Sequence, residues 1–166
     1  YYMQAVNGGP GKLLANVAGV ETPVITIIGC GNVGLGAAEL AASFGNEVRI
    51  LDVNMESMLA AKKHMPGNVT FMMSNRANLE KCLRESDVLL NAIQWAKDRK
   101  DHIVYRQDLR LMKSGAIVVD VACDDGGAIE TCRSTTHDKP VFFEEGVLHY
   151  CVDNIPSAFA QTASVT

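Results

Sequence analysis

The sequence predicts an α/β domain of the Rossmann type, a doubly wound parallel sheet with strand order 3-2-1-4-5-6. Three observations carry that expectation. The apolar run Ile25-Thr26-Ile27-Ile28 leads straight into Gly29-Cys30-Gly31-Asn32-Val33-Gly34. A helical pattern rich in small residues follows, and then a second strand, Glu47-Val48-Arg49-Ile50-Leu51-Asp52, ends on a carboxylate eighteen residues past Gly34. Beyond it, strand-like runs and helical patterns alternate, as they do when parallel strands are joined by crossover helices.

Each part of the opening unit has a physical task. Gly29 permits a tight turn, Gly31 lets the backbone approach a pyrophosphate, and Gly34 lets the helix lie close to the sheet. The helix that starts at Asn32 and Val33 offers unpaired N–H groups and a positive dipole end to phosphates. Asp52 can accept both hydroxyls of an adenosine ribose and repels a 2′-phosphate. A glycine triplet alone is only a turn. With strand, helix and distal carboxylate in place it points to dinucleotide binding, with NAD as the cofactor.

The remaining elements follow in order. Residues 32–44 place Val33, Ala37, Leu40, Ala41 and Phe44 on one helical face, and Gly45 stops the helix. Met55, Met58 and Leu59 carry a second helix that ends near Pro66-Gly67, and residues 69–73 form a strand. Leu79, Cys82 and Leu83 mark a short helix. Residues 87–93 read as a strand covered on both faces. A charged, helix-breaking stretch occupies 95–102, residues 105–112 are helical, and Ser114-Gly115 turns into a strand over 116–122. Two late strands fall at 141–143 and 147–152. The expected order has places for six strands, one fewer than the chain's seven strand-like runs.

Length and composition fit one domain. The chain has 166 residues, of which 48% are hydrophobic and 20% charged, enough to bury one sizeable core. A net charge of −4 with no basic run argues against a nucleic-acid partner. No apolar stretch is long enough to span a bilayer. The cysteines Cys30, Cys82, Cys123, Cys132 and Cys151 are odd in number and form no C-x-x-C pair. That favours buried thiols in a reducing cytoplasm over a disulfide framework. The opening Tyr1-Tyr2-Met3 and a helix start at the last residues lead to the expectation that 1–166 is a domain excised from a larger two-domain enzyme.

In an open parallel sheet, ligands sit beyond the carboxyl ends of the strands. Two segments stand out there. Asp120-Val121-Ala122-Cys123-Asp124-Asp125-Gly126-Gly127 is an acidic, glycine-containing turn placed where a nicotinamide or substrate would lie; an ordinary solvated turn has the same composition. With no histidine or further carboxylate nearby, Asp124 and Asp125 do not make a metal site, and no metal is expected. Leu148-His149-Tyr150-Cys151-Val152-Asp153-Asn154-Ile155-Pro156 offers the Asn154 amide to ribose or carboxamide groups, although Asn and Pro also simply end strands. His64, His102, His137 and His149 are scattered and none is a convincing base; His149 on a strand fits a hydrogen-bonded core residue.

Taken together, Gly8-Gly9-Pro10-Gly11-Lys12-Leu13-Leu14, the Gly29–Gly34 turn, Leu51-Asp52-Val53-Asn54, Val119-Asp120 with the acidic turn, Arg133-Ser134-Thr135-Thr136-His137-Asp138 and His149–Pro156 give a resemblance over nearly the whole chain. The sequence resembles the alanine dehydrogenase/pyridine nucleotide transhydrogenase family. The resemblance implies Asn32 and Val33 under the pyrophosphate, Asp52 on the adenosine ribose and Ser74 near the adenine. It places Ile93, Gln94, Val121, Ala122, Cys123 and Asp124 along the nicotinamide half. Arg133 would reach the cofactor, Val152, Asp153, Asn154 and Ile155 would close over it, and Asp124 would be the catalytic aspartate.

Two departures qualify that picture. Where the family usually carries a Gly/Pro-rich loop with a Lys-Ala-Pro run, this chain has Gln94-Trp95-Ala96-Lys97-Asp98-Arg99-Lys100-Asp101-His102. That loop is similar to the opine-forming branch, such as N5-(carboxyethyl)ornithine synthase, and points away from a transhydrogenase. Asp125 and Asp153 stand where alanine dehydrogenases usually carry uncharged residues. The expected function is therefore the NAD(H)-binding domain of an alanine dehydrogenase-like oxidoreductase, which reductively aminates pyruvate to alanine and runs the reverse. An opine dehydrogenase on the same domain and a non-catalytic nucleotide sensor are the alternatives. The implied partners are a small keto acid or amino acid, the missing catalytic domain of the same chain, and further copies in a homo-oligomer.

Overall fold

The computed structural model describes residues 1–96, 98–123 and 127–164. Its strands are β1 (Val24–Ile28), β2 (Glu47–Asp52), β3 (Val69–Met73), β4 (Val88–Asn91), β5 (Ile117–Asp120), β6 (Val141–Glu144) and β7 (Val147–Tyr150). They form one sheet in the order β3-β2-β1-β4-β5-β7-β6. Helices α1 (Asn32–Ser43), α2 (Met55–Lys62) and α3 (Arg76–Glu85) make the first three crossovers, and a 3-10 helix over Arg106–Leu111 makes the fourth. Every pairing from β3 across to β7 is parallel, so the expected doubly wound architecture is present.

The far edge differs from the expected order. There are seven strands among the described residues, and β7 rather than β6 lies beside β5, with β6 antiparallel on the outside. The cause is local. Only Glu145 and Gly146 separate β6 from β7, both with positive φ (50° and 79°). Two such residues make a hairpin turn, whereas a parallel return needs a crossover of a dozen residues or more.

The sheet is apolar through its middle. All five residues of β1 are buried, with Ile25 and Ile27 in one core layer and Ile28 in the other. The helix faces are less obvious. The α1 face turned to the sheet is Gly34, Ala38 and Ala42, while Val33, Leu40 and Phe44 from the expected apolar face are more than half exposed. Small residues win the sheet side because α1 lies too close to β1 for anything larger. On α2, Met58 is buried but Met55 and Leu59 are exposed, and the helix stops at Lys62, ahead of Pro66. Leu79, Cys82 and Leu83 of α3 are buried as expected. Leu40 and Phe44, with Ile25, Leu90 and Leu13, line an open apolar groove of about 660 Å³ on the α1 side of β1 and β4.

All five cysteines are free and buried. His149 is fully buried on β7, its Nε2 2.9 Å from the Thr131 hydroxyl and its Nδ1 3.0 Å from the Val147 carbonyl. Burial holds its pKa below the usual histidine value, so it is a neutral core residue. Among the described residues no helix is long and apolar enough to cross a membrane.

At the opposite end of the sheet from the glycine turn, Asp87 joins three strands. Its backbone N–H donates to Val24 and its carbonyl accepts from Ile117, while its buried carboxylate accepts from the Val24 N–H at 3.0 Å. Lys12 and Lys113 complete the carboxylate's partners at 2.8 and 3.2 Å. Burial alone would raise the Asp87 pKa, but the two lysines and the Val24 N–H more than offset it and leave the carboxyl below its ordinary value. A folded pKa below the unfolded one (about 3.9) contributes stability that is complete above the unfolded value and disappears as pH falls through the folded one. Asp87→Asn should therefore lose about 2 kcal/mol at pH 7, since it weakens a buried, charge-assisted cluster. Thermal melts from pH 7 down to pH 3 should show the gap between variant and wild type closing below about pH 4. A gap that stays constant across that range would mean the charge contributes nothing.

Candidate functional site

The carboxyl ends of β1, β2, β4, β5 and β7 open on one edge of the sheet, and β1 is flanked by β2 on one side and β4 on the other. The turn after β1 is built around two steric facts. Gly29 has φ +110°, and a Cβ on it would lie 2.9 Å from the Ile93 side chain. A Cβ on Gly34 would lie 2.1 Å from the Gly29 carbonyl oxygen, so α1 can only sit where it does with a glycine at that position. Gly31 is different. It is the residue before α1, its backbone is extended, and a Cβ there meets nothing within 4 Å. The fold has no use for the missing side chain of Gly31, whereas a phosphate group approaching the start of α1 at Asn32 and Val33 does. That open space beside the first N–H groups of α1 fits a dinucleotide pyrophosphate.

Asp52 ends β2 one residue beyond the β1 partner pair Ile28 and Leu51. Its Oδ2 accepts from the Cys30 N–H at 2.6 Å and its Oδ1 from the Asn54 N–H at 2.8 Å. The carboxylate is thus fixed against the glycine turn, and each oxygen keeps a lone pair for a further donor such as a ribose hydroxyl. Ser74, after β3, donates its N–H to the Asp52 carbonyl at 2.8 Å.

Between the segments after β2 and β3 and the segment after β4 lies a cleft of about 580 Å³. Val53, Ser74 and Leu79 line it together with Ile93 and Gln94. Trp95, Arg99 and His102 from the following loop line it too, as does Arg76, which is ion-paired with the buried Asp108 and with Glu80. Composition alone had marked residues 95–102 only as a charged break. The missed signal was an aliphatic residue, Val53, directly after Asp52 and a tryptophan four residues past the end of β4.

On the other side of β4, Asn91 and Asp120 face each other in register, and the Asn91 amide donates to Asp120 Oδ1 at 2.8 Å, fully buried. Ile93 N–H donates back to Asn91 Oδ1, and Ala122 N–H to Asp120 Oδ1, so this polar pair sets the path of both strand ends. Val121 bonds to the Asn91 carbonyl. Contact with Cys151, and then burial, push the Cys123 thiol far above its ordinary pKa; it is a neutral packing group at physiological pH, not a nucleophile. Cys151 in turn donates to Cys132, 3.6 Å away. Asp124, with residues 125 and 126, lies outside the described residues. Among the described residues no cluster of His, Cys, Asp or Glu could hold a metal.

Val152 pairs with Thr135 in a short parallel bridge, the Asp153 N–H donates to the Thr135 carbonyl, and Asn154 and Ile155 lead into a 3-10 turn over Ile155–Phe159. Arg133 is held over the Phe142 ring at 4.1 Å and lies 3.7 Å from Glu144, both on the edge hairpin. Its guanidinium is therefore drawn to β6.

The family described as "Alanine dehydrogenase/PNT, C-terminal domain" matches residues 1–166. The alanine dehydrogenase of Staphylococcus epidermidis is 38% identical over 165 residues, which are 99% of this chain and 44% of that protein. That of Methanococcus maripaludis is 39% identical over 164 residues, 98% of this chain and again 44% of its own. The chain thus spans less than half the length of these curated relatives. Among solved structures, an L-alanine dehydrogenase superposes with a TM-score of 0.92 at 35% identity, covering 99% of this chain and 45% of its own. A transhydrogenase from Sinorhizobium meliloti shares the fold, with a TM-score of 0.76 at 24% identity over 99% of this chain and 48% of its own.

The two inner glycines separate folding from binding. Gly34→Ala should lose about 1–3 kcal/mol of stability, because its Cβ meets backbone that cannot yield. Gly31→Ala should stay within about 0.5 kcal/mol of wild type, yet weaken NADH about tenfold or more by intruding on the pyrophosphate path. Chemical denaturation beside calorimetric NADH titration checks both. Undiminished NADH binding by Gly31→Ala would remove the pyrophosphate from that position.

Proposed function

We propose, because this chain belongs to the alanine dehydrogenase/PNT family as its C-terminal domain, that it is the NAD-binding part of an oxidoreductase converting pyruvate and ammonia to alanine and back. The observation that carries the proposal is the Gly29–Gly34 turn with the Asp52 carboxylate pinned to the Cys30 N–H. In this reading the first N–H groups of α1 hold the pyrophosphate and Asp52 accepts the adenosine ribose hydroxyls. NAD, when bound, supplies hydride acceptor and donor chemistry at its nicotinamide. The chain's own residues do the holding: the Asn91–Asp120 pair fixes the strand ends beside the reacting half, and neutral Cys123 contributes shape there.

Asp124 takes the catalytic role by family resemblance. A carboxylate beside the reacting carbon stabilises the positive charge of an iminium intermediate or assists its proton transfer. The basic groups that hold the keto-acid carboxylate belong, in this proposal, to a further domain of a longer polypeptide. Two observations favour one: the relatives are more than twice as long, and the face of β1 and β4 beside α1 is an open apolar groove.

Calorimetry on the chain tests the cofactor. NADH should bind more tightly than NADPH, and Asp52→Ala should weaken NADH by about 1–3 kcal/mol while narrowing the gap. Equal or tighter NADPH binding by wild type would overturn the assignment of Asp52. In the polypeptide of full family length, Asp124→Asn should lower turnover about 10²-fold or more with NADH affinity little changed, and Asp125→Asn should remain within a few-fold. The same preparation should oxidise NADH with pyruvate plus ammonia. Oxidation only with pyruvate plus ornithine would place it in the opine branch, and none with either would leave a nucleotide sensor.

A further inference from the structure

We propose that Cys132 and Cys151 are a redox latch: a peroxide joins their sulfurs in a reversible disulfide that ties the end of β7 to the loop before Thr135 and weakens the cofactor's nicotinamide half. The bond itself is independent of the dinucleotide reading, whereas its effect on the cofactor rests on that reading. Three thiols meet near the carboxyl ends of β5 and β7. Cys151 donates to Cys132 across 3.6 Å, Cys123 bonds to Cys151, and Cys132 turns its own S–H to the buried Asp120 carboxylate. The sulfurs of a disulfide lie about 2.05 Å apart, so a side-chain shift of about 1.5 Å closes the gap between Cys132 and Cys151.

The two cysteines differ in setting. Cys151 directly follows β7 and is fully buried, whereas Cys132 lies in an irregular loop whose next residues, Arg133 and Ser134, are exposed. Opening of that loop bares Cys132 first. In the closed fold neither thiol reacts. For Cys132 the bond from Cys151 favours the thiolate, but burial and the Asp120 carboxylate outweigh it and hold the pKa above its ordinary value. Opening removes both, and the freed thiolate attacks one oxygen of hydrogen peroxide. The O–O bond breaks, hydroxide leaves as water with the proton that the thiol gave up, and a sulfenic acid remains. On reclosing, the Cys151 sulfur attacks the sulfenic sulfur, the S–O bond breaks, and a second water leaves with the Cys151 proton. Two thiols are thereby oxidised by two electrons and one peroxide is reduced to two waters. The disulfide staples the β6–β7 hairpin, which lies between the two cysteines, at its base. It also leaves no S–H for Asp120, which keeps only its bonds from Asn91 and Ala122 among those that set the strand ends, and it draws on the start of residues 152–155.

Hydrogen peroxide added to the chain should remove two of its five free thiols, and dithiothreitol should return them. Cleavage after Glu130 and Glu145 separates Cys123, Cys132 and Cys151 into different peptides, and mass analysis should find Cys132 joined to Cys151. Oxidation should raise the melting temperature by about 5 °C or more, because the disulfide constrains the unfolded chain. By calorimetry it should weaken NADH about threefold or more and leave 5′-AMP unchanged. Cys132→Ser should abolish all of these responses, and the wild-type peptide map needs no variant. Five thiols still free after peroxide, or a bond from Cys151 to Cys123, would overturn the latch. A bond between Cys132 and Cys151 that leaves NADH affinity as it was would overturn the switch. If NADH does not bind the reduced chain at all, the cofactor reading fails, and the peptide map and the melts decide the latch on their own.

Discussion

The closeness of α1 to the turn after β1 is the constraint on which the rest depends. Ile27 Cγ2 and the Gly29 carbonyl both stand within contact of where a Gly34 Cβ would be. That closeness selects the small face Gly34, Ala38, Ala42 against the sheet and aims the start of α1 at the end of β1. It also fixes the return. With β2 paired parallel to β1 so that Leu51 lies opposite Ile28, the next residue, Asp52, stands level with the turn and reaches the Cys30 N–H. The packing that makes the domain fold is the packing that brings a helix N-terminus and a carboxylate to one place.

The two halves of the site are joined by a second constraint. The segment after β4 is laced to the segment after β5: Ile103 and Val104 donate to the Ala128 carbonyl, Glu130 donates back to Val104, and the Arg106 N–H reaches the Glu130 carboxylate at 2.7 Å. Beneath them, Asn91 and Asp120 lock the two strand ends. The wall of the cleft after β4 and the strand ends on the far side of β4 are therefore bonded to one another. A ligand spanning both meets a surface whose spacing is already set, which lowers the ordering cost of binding.

What was legible in the sequence is what is encoded locally. A strand, three glycines, a helix and an acid at fixed spacing describe a unit whose contacts are all near neighbours, and the structure reproduces it. The α1 face was misjudged because a hydrophobic pattern reports amphipathicity, whereas the sheet-facing side here is set by distance and takes glycine and alanine; Leu40 and Phe44 face an open groove instead. The sheet edge was misjudged because two adjacent strands were read as successive parallel ones, though Glu145-Gly146 is too short for anything but a hairpin. The cleft wall at Trp95 was hidden for another reason. Its order comes from Arg99 and Asp101 bonding within a polar loop and from His102 reaching Gly127, contacts that no periodicity announces. The acidic turn at Asp124 was legible only as composition and resemblance.

Cofactor choice, in this reading, is decided before the ligand arrives. A carboxylate on a free side chain could rotate away from an incoming 2′-phosphate at little cost. Asp52 cannot do so without giving up its bonds from the Cys30 and Asn54 N–H groups. Two negative charges about 4 Å apart near a protein surface repel by roughly 4 kcal/mol, while each charge-assisted bond that a retreating carboxylate abandons is worth about 1.5–3 kcal/mol. Both routes open to the phosphorylated cofactor are therefore unfavourable by similar amounts. The unphosphorylated ribose meets an acceptor already in position, and its two hydroxyls replace water on lone pairs that the protein leaves exposed.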